Sequence, residues 1–242
     1  MSILEGLSIE DGFRKIFKTI LDKDEFAYGI QIGAFDGNSF DETQPILKEL
    51  NFPFLFVEPI PYYFERMKSV LNYHPFNKFD ECAISETDGT ARMVVYDPSQ
   101  FYENKPMSQE FCLTGMSSLY PVRNNPWQAP THQVEVVTKT MQTLLKDNGV
   151  GAFDVFLCDT EGYDYQIFKQ VNPKDAIFWR FEIQHLPEHE TTEMIDTFKA
   201  AGYSIFAYHT NYPVYTDTWS AYQAHGCHDL TAINTQFLES LS

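Results

Sequence analysis

The chain has 242 residues, 43% of them hydrophobic and 16% aromatic, with a formal net charge of −17 at neutral pH. That apolar content excludes a disordered chain and is enough for the core of one α/β domain over residues 1–242. A field of this sign repels phosphate polymers and no basic run offsets it, so nucleic acid is not an expected partner. No apolar segment approaches the length of a membrane span, and the N-terminus lacks a basic start followed by a long apolar stretch. The expectation is therefore a chain with no membrane partner and, by default, a cytoplasmic one. Cys82, Cys112, Cys158 and Cys227 are too widely spaced for a CxxC pair or a zinc-finger pattern. Cys82 and Cys158 lie in or beside apolar strand-like runs, where a free thiol serves as a small hydrophobe.

Taken in chain order, residues 3–21 place Ile9, Phe13, Ile16, Phe17, Ile20 and Leu21 at helical spacing, which predicts an amphipathic helix within an N-terminal cap over 1–27. Residues 28–32 read as a short strand running into Gly33-Ala34-Phe35-Asp36-Gly37. A helix passes through residues 45–50, with Pro45 acceptable in a first turn. Phe54-Leu55-Phe56-Val57 is apolar throughout, as expected of a parallel strand covered on both faces, and it ends in Glu58-Pro59. Pro61 opens a further helix with Phe64, Met67, Val70 and Leu71 on one face. Residues 79–84 and 91–96 read as strands, the second after an Asp88-Gly89 turn.

Residues 97–130 break the pattern. They carry Pro98, Pro106, Pro121 and Pro126 with many polar and aromatic residues and no sustained period, and a stretch this long is usually functional. It is read as an acceptor loop or lid. Its aromatics, among them Phe101, Tyr102, Phe111, Tyr120 and Trp127, either offer faces to an acceptor or anchor the loop on the domain. Regular alternation then resumes: a helix over 140–148 stopped by Gly149, a strand over 153–158 ending in Asp159-Thr160-Glu161-Gly162, and a helix over 163–170. A strand over 176–183, a helix over 191–201 and a strand over 204–208 follow. This alternation predicts an α/β, Rossmann-like, doubly wound and mostly parallel sheet, with ligands at the carboxyl ends of its strands.

The first strand end supplies Gly33-x-x-x-Gly37 and the second supplies Glu58, a carboxylate able to accept the ribose hydroxyls of an adenosine ligand. A dinucleotide site would want GxGxxG, so that a helix N-terminus receives the pyrophosphate. Here Asp36 stands in the turn, which disfavours a pyrophosphate and suits a cationic, zwitterionic ligand. S-adenosylmethionine has that character, and a nicotinamide-dependent oxidoreductase becomes the alternative.

The series Gln31-Ile32-Gly33-Ala34-Phe35-Asp36-Gly37, Phe56-Val57-Glu58-Pro59, Cys82-Ala83-Ile84-Ser85, Thr114-Gly115-Met116-Ser117-Ser118-Leu119 and Asp159-Thr160-Glu161-Gly162 resembles the FkbM family of methyltransferases over roughly residues 28–210. It departs at Gln31, where the family usually has an acid. The resemblance implies that Gln31, Gly33, Asp36 and Gly37 line the methionine moiety and that Glu58, with Pro59 beside it, holds the ribose. It places Cys82, Ala83 and Ile84 beside the adenine, Ser117 closing from the loop, and Asp159 near the methyl group and acceptor. The acceptor class it implies is a hydroxyl of a sugar, glycan or natural product.

Methyl transfer from a sulfonium is an in-line displacement that depends on alignment, and an alcohol needs a base or a metal to lose its proton. The candidates are Asp159, Glu161 and His185. Asp159 and Glu161 are also well placed to cap the following helix, and His185 to be an ordinary polar loop residue. Asp159 and Glu182 together offer oxygen ligands that suit Mg²⁺, but no strict ligand motif is present and a divalent metal is not expected to be required. His185-Leu186-Pro187-Glu188-His189 fits HxxEH, an inverted zinc-peptidase signature, but Pro187 prevents one helix from carrying both histidines. The remaining rival to an enzyme is a methyltransferase-like module that binds the cofactor or a partner without turnover.

Overall fold

The computed structural model describes residues 7–39, 41–96, 117–119, 131–209, 212–215 and 228–241. Its N-terminal helix, α1 (Ile9–Lys23), starts where the Ser8 side chain accepts a hydrogen bond from the Asp11 N–H, with Glu10 and Asp11 in the first turn beside the positive end of the helix dipole. Its apolar stripe, Phe13, Ile16, Phe17 and Ile20, is buried. Phe17 meets Phe52 and Phe178 edge-on at ring separations of 6.0 and 5.1 Å. Truncating such a ring to alanine costs about 3–5 kcal/mol, so α1 is a working part of the core.

Among the described residues eight strands form the main sheet: β1 (Gly29–Ile32), β2 (Phe54–Val57), β3 (Lys78–Asp80), β7 (Val155–Cys158), β8 (Phe178–Glu182), β9 (Tyr203–His209), β10 (Tyr212–Tyr215) and β11 (Asp229–Asn234). Their spatial order is β10-β9-β11-β8-β7-β1-β2-β3. The five from β3 to β8 are paired in parallel, and β11 runs antiparallel to both of its neighbours, β8 and β9. The expected doubly wound, mostly parallel sheet is what forms.

Period-two alternation sends side chains to two separate cores. Phe54, Phe56, Val155, Leu157 and Phe178 pack with α1, α2 (Thr43–Leu50) and α3 (Pro61–Val70). Leu55, Val57, Phe156, Trp179 and Phe181 pack on the other side with α4 (Met141–Asp147), α5 (Asp164–Phe168) and α6 (Glu188–Ala200). A last short helix, α7 (Thr235–Glu239), follows β11 and adds Phe237 to the first core. Among the described residues no helix is long and apolar enough to cross a membrane.

A second sheet has the order β4-β6-β5, from β4 (Ala83–Ile84), β5 (Gly89–Tyr96) and β6 (Thr131–Lys139). Two expectations change here. The single strand over 79–84 is two strands in different sheets, because the main chain leaves β3 after Asp80 and pairs Ala83 and Ile84 with Thr138 and Lys139. The Asp88-Gly89 turn does not join paired neighbours either, since β4 and β5 flank β6 on opposite sides. Val70, expected on the buried face of α3, is 38% exposed. The lid expected over 97–130 lies outside the described residues except at 117–119, where Ser118 and Val94 exchange main-chain hydrogen bonds.

Candidate active site

The carboxyl ends of β1, β2, β7 and β8 open onto one cavity of about 470 Å³, within the range of small-molecule sites. β1 and β7 are hydrogen-bonded neighbours up to Ile32 and Cys158, and just beyond, where the Asp159 N–H donates to the Ile32 carbonyl at 3.0 Å, their backbones stay in close contact at the cavity floor. Gly33 makes that close approach possible. It takes φ of +78°, and a Cβ there would lie 1.8 Å from the Asp159 carbonyl oxygen. The N–H groups of Gly33 and Ala34 both donate to the Val57 carbonyl at 3.0 Å, which locks the turn onto the end of β2.

Glu58 follows β2 and is buried. One carboxylate oxygen accepts from the Phe35 N–H and the other from the Ile60 N–H, each at 3.0 Å. Burial raises its pKa to about 8, against the lowering effect of those two N–H groups and with a small further push from Asp36. Each oxygen keeps a lone pair, so the carboxylate can still receive hydroxyl donors from a ribose. Pro59, Cys82, Ala83 and Ile84 continue the wall beside it, joined by Met93 and Leu119. This apolar surface suits a planar base. Ser117 adds a buried hydroxyl with no hydrogen-bond partner among the described residues.

Gln31 stands on the floor. Its amide donates to Asp41 at 2.5 Å and accepts from the Gln44 amide, and Asp41 is held in turn by the Thr43 N–H at 2.7 Å. The contacts of Gln31 are thus to side chains of the protein's own network, on the cavity wall where a ligand contact was expected.

The β7 and β8 end is dominated by acids. Asp159 lines the cavity just beyond Gly33, and its surface opens to that space although protein encloses it on the other sides. Burial, then Glu161, Asp164 and Asp229, hold its pKa well above the usual carboxylate range, while Arg180 acts the other way. Glu161 has a left-handed backbone, φ +54°, which turns its side chain toward His185 at 2.9 Å. Glu182, the last residue of β8, approaches the same imidazole nitrogen at 3.8 Å. The bond to Glu161 raises the His185 pKa, and burial beside Asp159 and Glu161 raises that of Glu182.

Arg180 lies on the same face of β8 two residues before Glu182. It binds Glu42 at 2.7 Å and Asp229 at 2.9 Å, and its guanidinium stands 5.5 Å from the Phe13 ring centre.

Of the residues expected to form the site, Gln31, Gly33, Glu58, Pro59, Cys82, Ala83, Ile84, Ser117, Asp159, Glu161, Glu182 and His185 all line this cavity. Asp36 and Gly37 do not. The Asp36 carboxylate accepts from the N–H groups of Asn38 and Ser39 at 3.0 and 2.8 Å and lies 3.3 Å from Arg66, so it closes the turn. Gly37, at φ +71°, makes room for Leu71, whose Cγ would be 2.9 Å from a Cβ. Among the described residues, ligand atoms of Glu161, Glu182 and His185 come together as a group of three, which includes Glu182 of the expected ion-binding pair Asp159 and Glu182. Arg180 and Asp229 were missed. The period-two relation of residue 180 to Glu182 was the available signal for the first, whereas Asp229 arrives from a strand remote in sequence.

A family model described as the methyltransferase FkbM domain matches residues 31–205. Solved structures similar to this chain include the METTL16 MTase domain, with a TM-score of 0.45 and 10% identity over 92% of this chain and 66% of that one. A human methyltransferase 10 domain containing protein aligns with the same score and identity over 93% of this chain and 81% of that one. The chain spans just under two thirds of the METTL16 domain. No curated protein matches in sequence.

Proposed function

The chain belongs to the FkbM methyltransferase family, and from that premise we propose that it moves a methyl group from S-adenosylmethionine to a hydroxyl oxygen of a sugar, glycan or natural-product acceptor. The observation that carries this reading is the make-up of one cavity: a buried carboxylate suited to a ribose at one end, Glu58, and a carboxylate–imidazole group at the other, Glu161, Glu182 and His185. The residues present fit the cofactor. Glu58 would receive the ribose hydroxyls, the wall from Cys82 to Ile84 would cover the base, and Gln31 with Asp41 would meet the amino-acid portion. When bound, the cofactor supplies a methyl group on a positively charged sulfur.

The chain's own residues then have two tasks. The first is alignment: the close-packed floor at Gly33 and Asp159 would hold the two reactants in a fixed approach, which is worth several kcal/mol of the barrier. The second is proton removal, because an alcohol is a weak nucleophile at neutral pH. Asp159, which lines the cavity, would in its ionised form receive the hydroxyl proton of the acceptor, and its raised pKa makes it the stronger base. The acid-rich lining and the overall charge favour a neutral small molecule or glycan over a nucleic acid as acceptor.

The test is a screen of hydroxylated sugars and metabolites for release of S-adenosylhomocysteine, with Asp159→Asn as the control. Product should carry a new O-methyl group, and Asp159→Asn should lose turnover by 10²-fold or more, on the order expected for a general base, while keeping cofactor affinity. S-adenosylhomocysteine should raise the melting temperature and NAD should not. Stabilisation by NAD alone would favour the oxidoreductase, and cofactor binding with no turnover on any acceptor would favour a binding module.

A further inference from the structure

The acceptor end of the cavity holds more than a base. We infer that Glu161, Glu182 and His185 form a site for one divalent transition-metal ion, of the Mn²⁺, Fe²⁺ or Zn²⁺ kind. The three side chains come from separate places: the left-handed turn after β7, the end of β8 and the loop between β8 and α6. One ligand atom from each lies within 4.8 Å of the other two. An ion bound at about 2.0–2.3 Å from each ligand needs donor atoms within about 4.6 Å of one another, so little movement completes the set.

A second observation points the same way. The Nε2 atom of His185 faces two carboxylates, Glu161 at 2.9 Å and Glu182 at 3.8 Å, but a single N–H satisfies only the nearer. Glu182 faces that nitrogen through Oε1, and its other oxygen, Oε2, is buried and without a hydrogen-bond partner among the described residues. A buried carboxylate in that condition is costly unless it is paired or ligates a metal. The guanidinium on the same strand does not relieve it, because Arg180 is already engaged by Glu42 and Asp229. Gly162 keeps the arrangement close: a Cβ there would press on the His185 Cβ at 3.2 Å.

The donor chemistry selects the ion. An imidazole with two carboxylates suits first-row transition ions, whereas Ca²⁺ takes six to eight oxygens and Mg²⁺ prefers an all-oxygen octahedron. Three protein ligands leave coordination positions open, the mark of a catalytic site and not of a structural one. All three ligands line the cavity, so those positions lie where an acceptor hydroxyl enters. A Lewis acid there lowers the hydroxyl pKa, and Asp159, outside the ligand group, is left to receive the proton. This role rests on the O-methyl-transfer reading; the ion site itself does not.

The experiment is a titration of the metal-free full-length chain with Mn²⁺, followed by loss of the free-ion electron paramagnetic resonance signal. One ion should bind per chain. Glu182→Gln and His185→Asn should each weaken binding at least tenfold, with circular dichroism and S-adenosylhomocysteine affinity unchanged. Excess Zn²⁺ should displace Mn²⁺, and equal concentrations of Ca²⁺ should not. No binding at millimolar Mn²⁺, or equal binding by both variants, overturns the site, and displacement by Ca²⁺ overturns the ion class. Turnover of a hydroxyl acceptor by protein that binds no metal would remove this inference alone. Metal binding without transfer to any hydroxyl would instead remove the O-methyl-transfer reading.

Discussion

The main-chain oxygen of Asp159 occupies the space that a side chain on Gly33 would need, with 1.8 Å separating it from a Cβ built there. The obstacle is backbone on both sides, so no rotamer change relieves it. Gly33→Ala should therefore force β1 and β7 apart just at the cavity floor, besides straining φ at +78°. We expect a loss of about 2 kcal/mol or more in stability by denaturant unfolding, and no detectable S-adenosylhomocysteine binding by calorimetry.

Glu58 makes cofactor affinity depend on pH. Burial pushes its carboxyl up to about 8 in the unliganded protein, and ribose hydroxyls donate more strongly to the ionised form than to the neutral acid. Below pH 8 the stronger, ionised form of the site is reached only with loss of a proton. The dissociation constant for S-adenosylhomocysteine should thus rise by up to about tenfold per unit as pH falls from 8 to 6, and level off above 8. Glu58→Gln should bind weakly with that slope removed, and calorimetry across the range checks both.

Stability of the unliganded protein should show the opposite trend. Burial lifts Asp164 to about 6 and Glu58 to about 8, both above their unfolded values. The folded state then holds protons that the unfolded chain releases. The stability this contributes is complete below pH about 4 and is lost as pH rises through 6 and then 8. Melting temperature should fall between pH 5 and pH 9, and Asp164→Asn should flatten the first part of that fall.

Arg180 ties α2, β8 and β11 together through Glu42 and Asp229. Arg180→Met keeps much of the side-chain volume and removes the charge, leaving two acids without their partner. Breaking a fully buried pair costs about 3–5 kcal/mol, and because Glu42 is a third exposed we expect nearer 2–3 kcal/mol. The measurement is denaturant unfolding. Restoration of stability by the further change Asp229→Asn would confirm that the unpaired acid is the cause.

What the sequence made legible follows from how local each signal is. The apolar run Phe54–Val57 and the helical stripe of α1 are dictated by neighbours in the chain, and both elements form where expected. β6 was not foreseen, although Val134 and Val136 alternate with Gln133 and Glu135 before Val137 breaks the pattern. Its pattern begins directly after the irregular stretch, and its partners Ala83 and Gly89 lie some fifty positions earlier. At the site, Glu58 and Asp159 could be placed from strand ends alone. That Asp36 closes a turn depends on Arg66 and Ser39 meeting it, and that His185 stands between two glutamates depends on the φ of Glu161. Neither is written in the spacing of residues.

β11 enters the sheet between β8 and β9, so the strand pair it joins has no shared hydrogen-bonding partner until residues 229–234 have been made. A ribosome would thus release an assembled β1–β2–β3 and β7–β8 region well before the sheet is whole, with the edge of β8 open in the interval. Arg180 waits through the same interval for Asp229. The acceptor side of the cavity gains its last charged partner only when this strand pairs with β8, and a chain cut before residue 229 would present an unpaired strand edge to its neighbours.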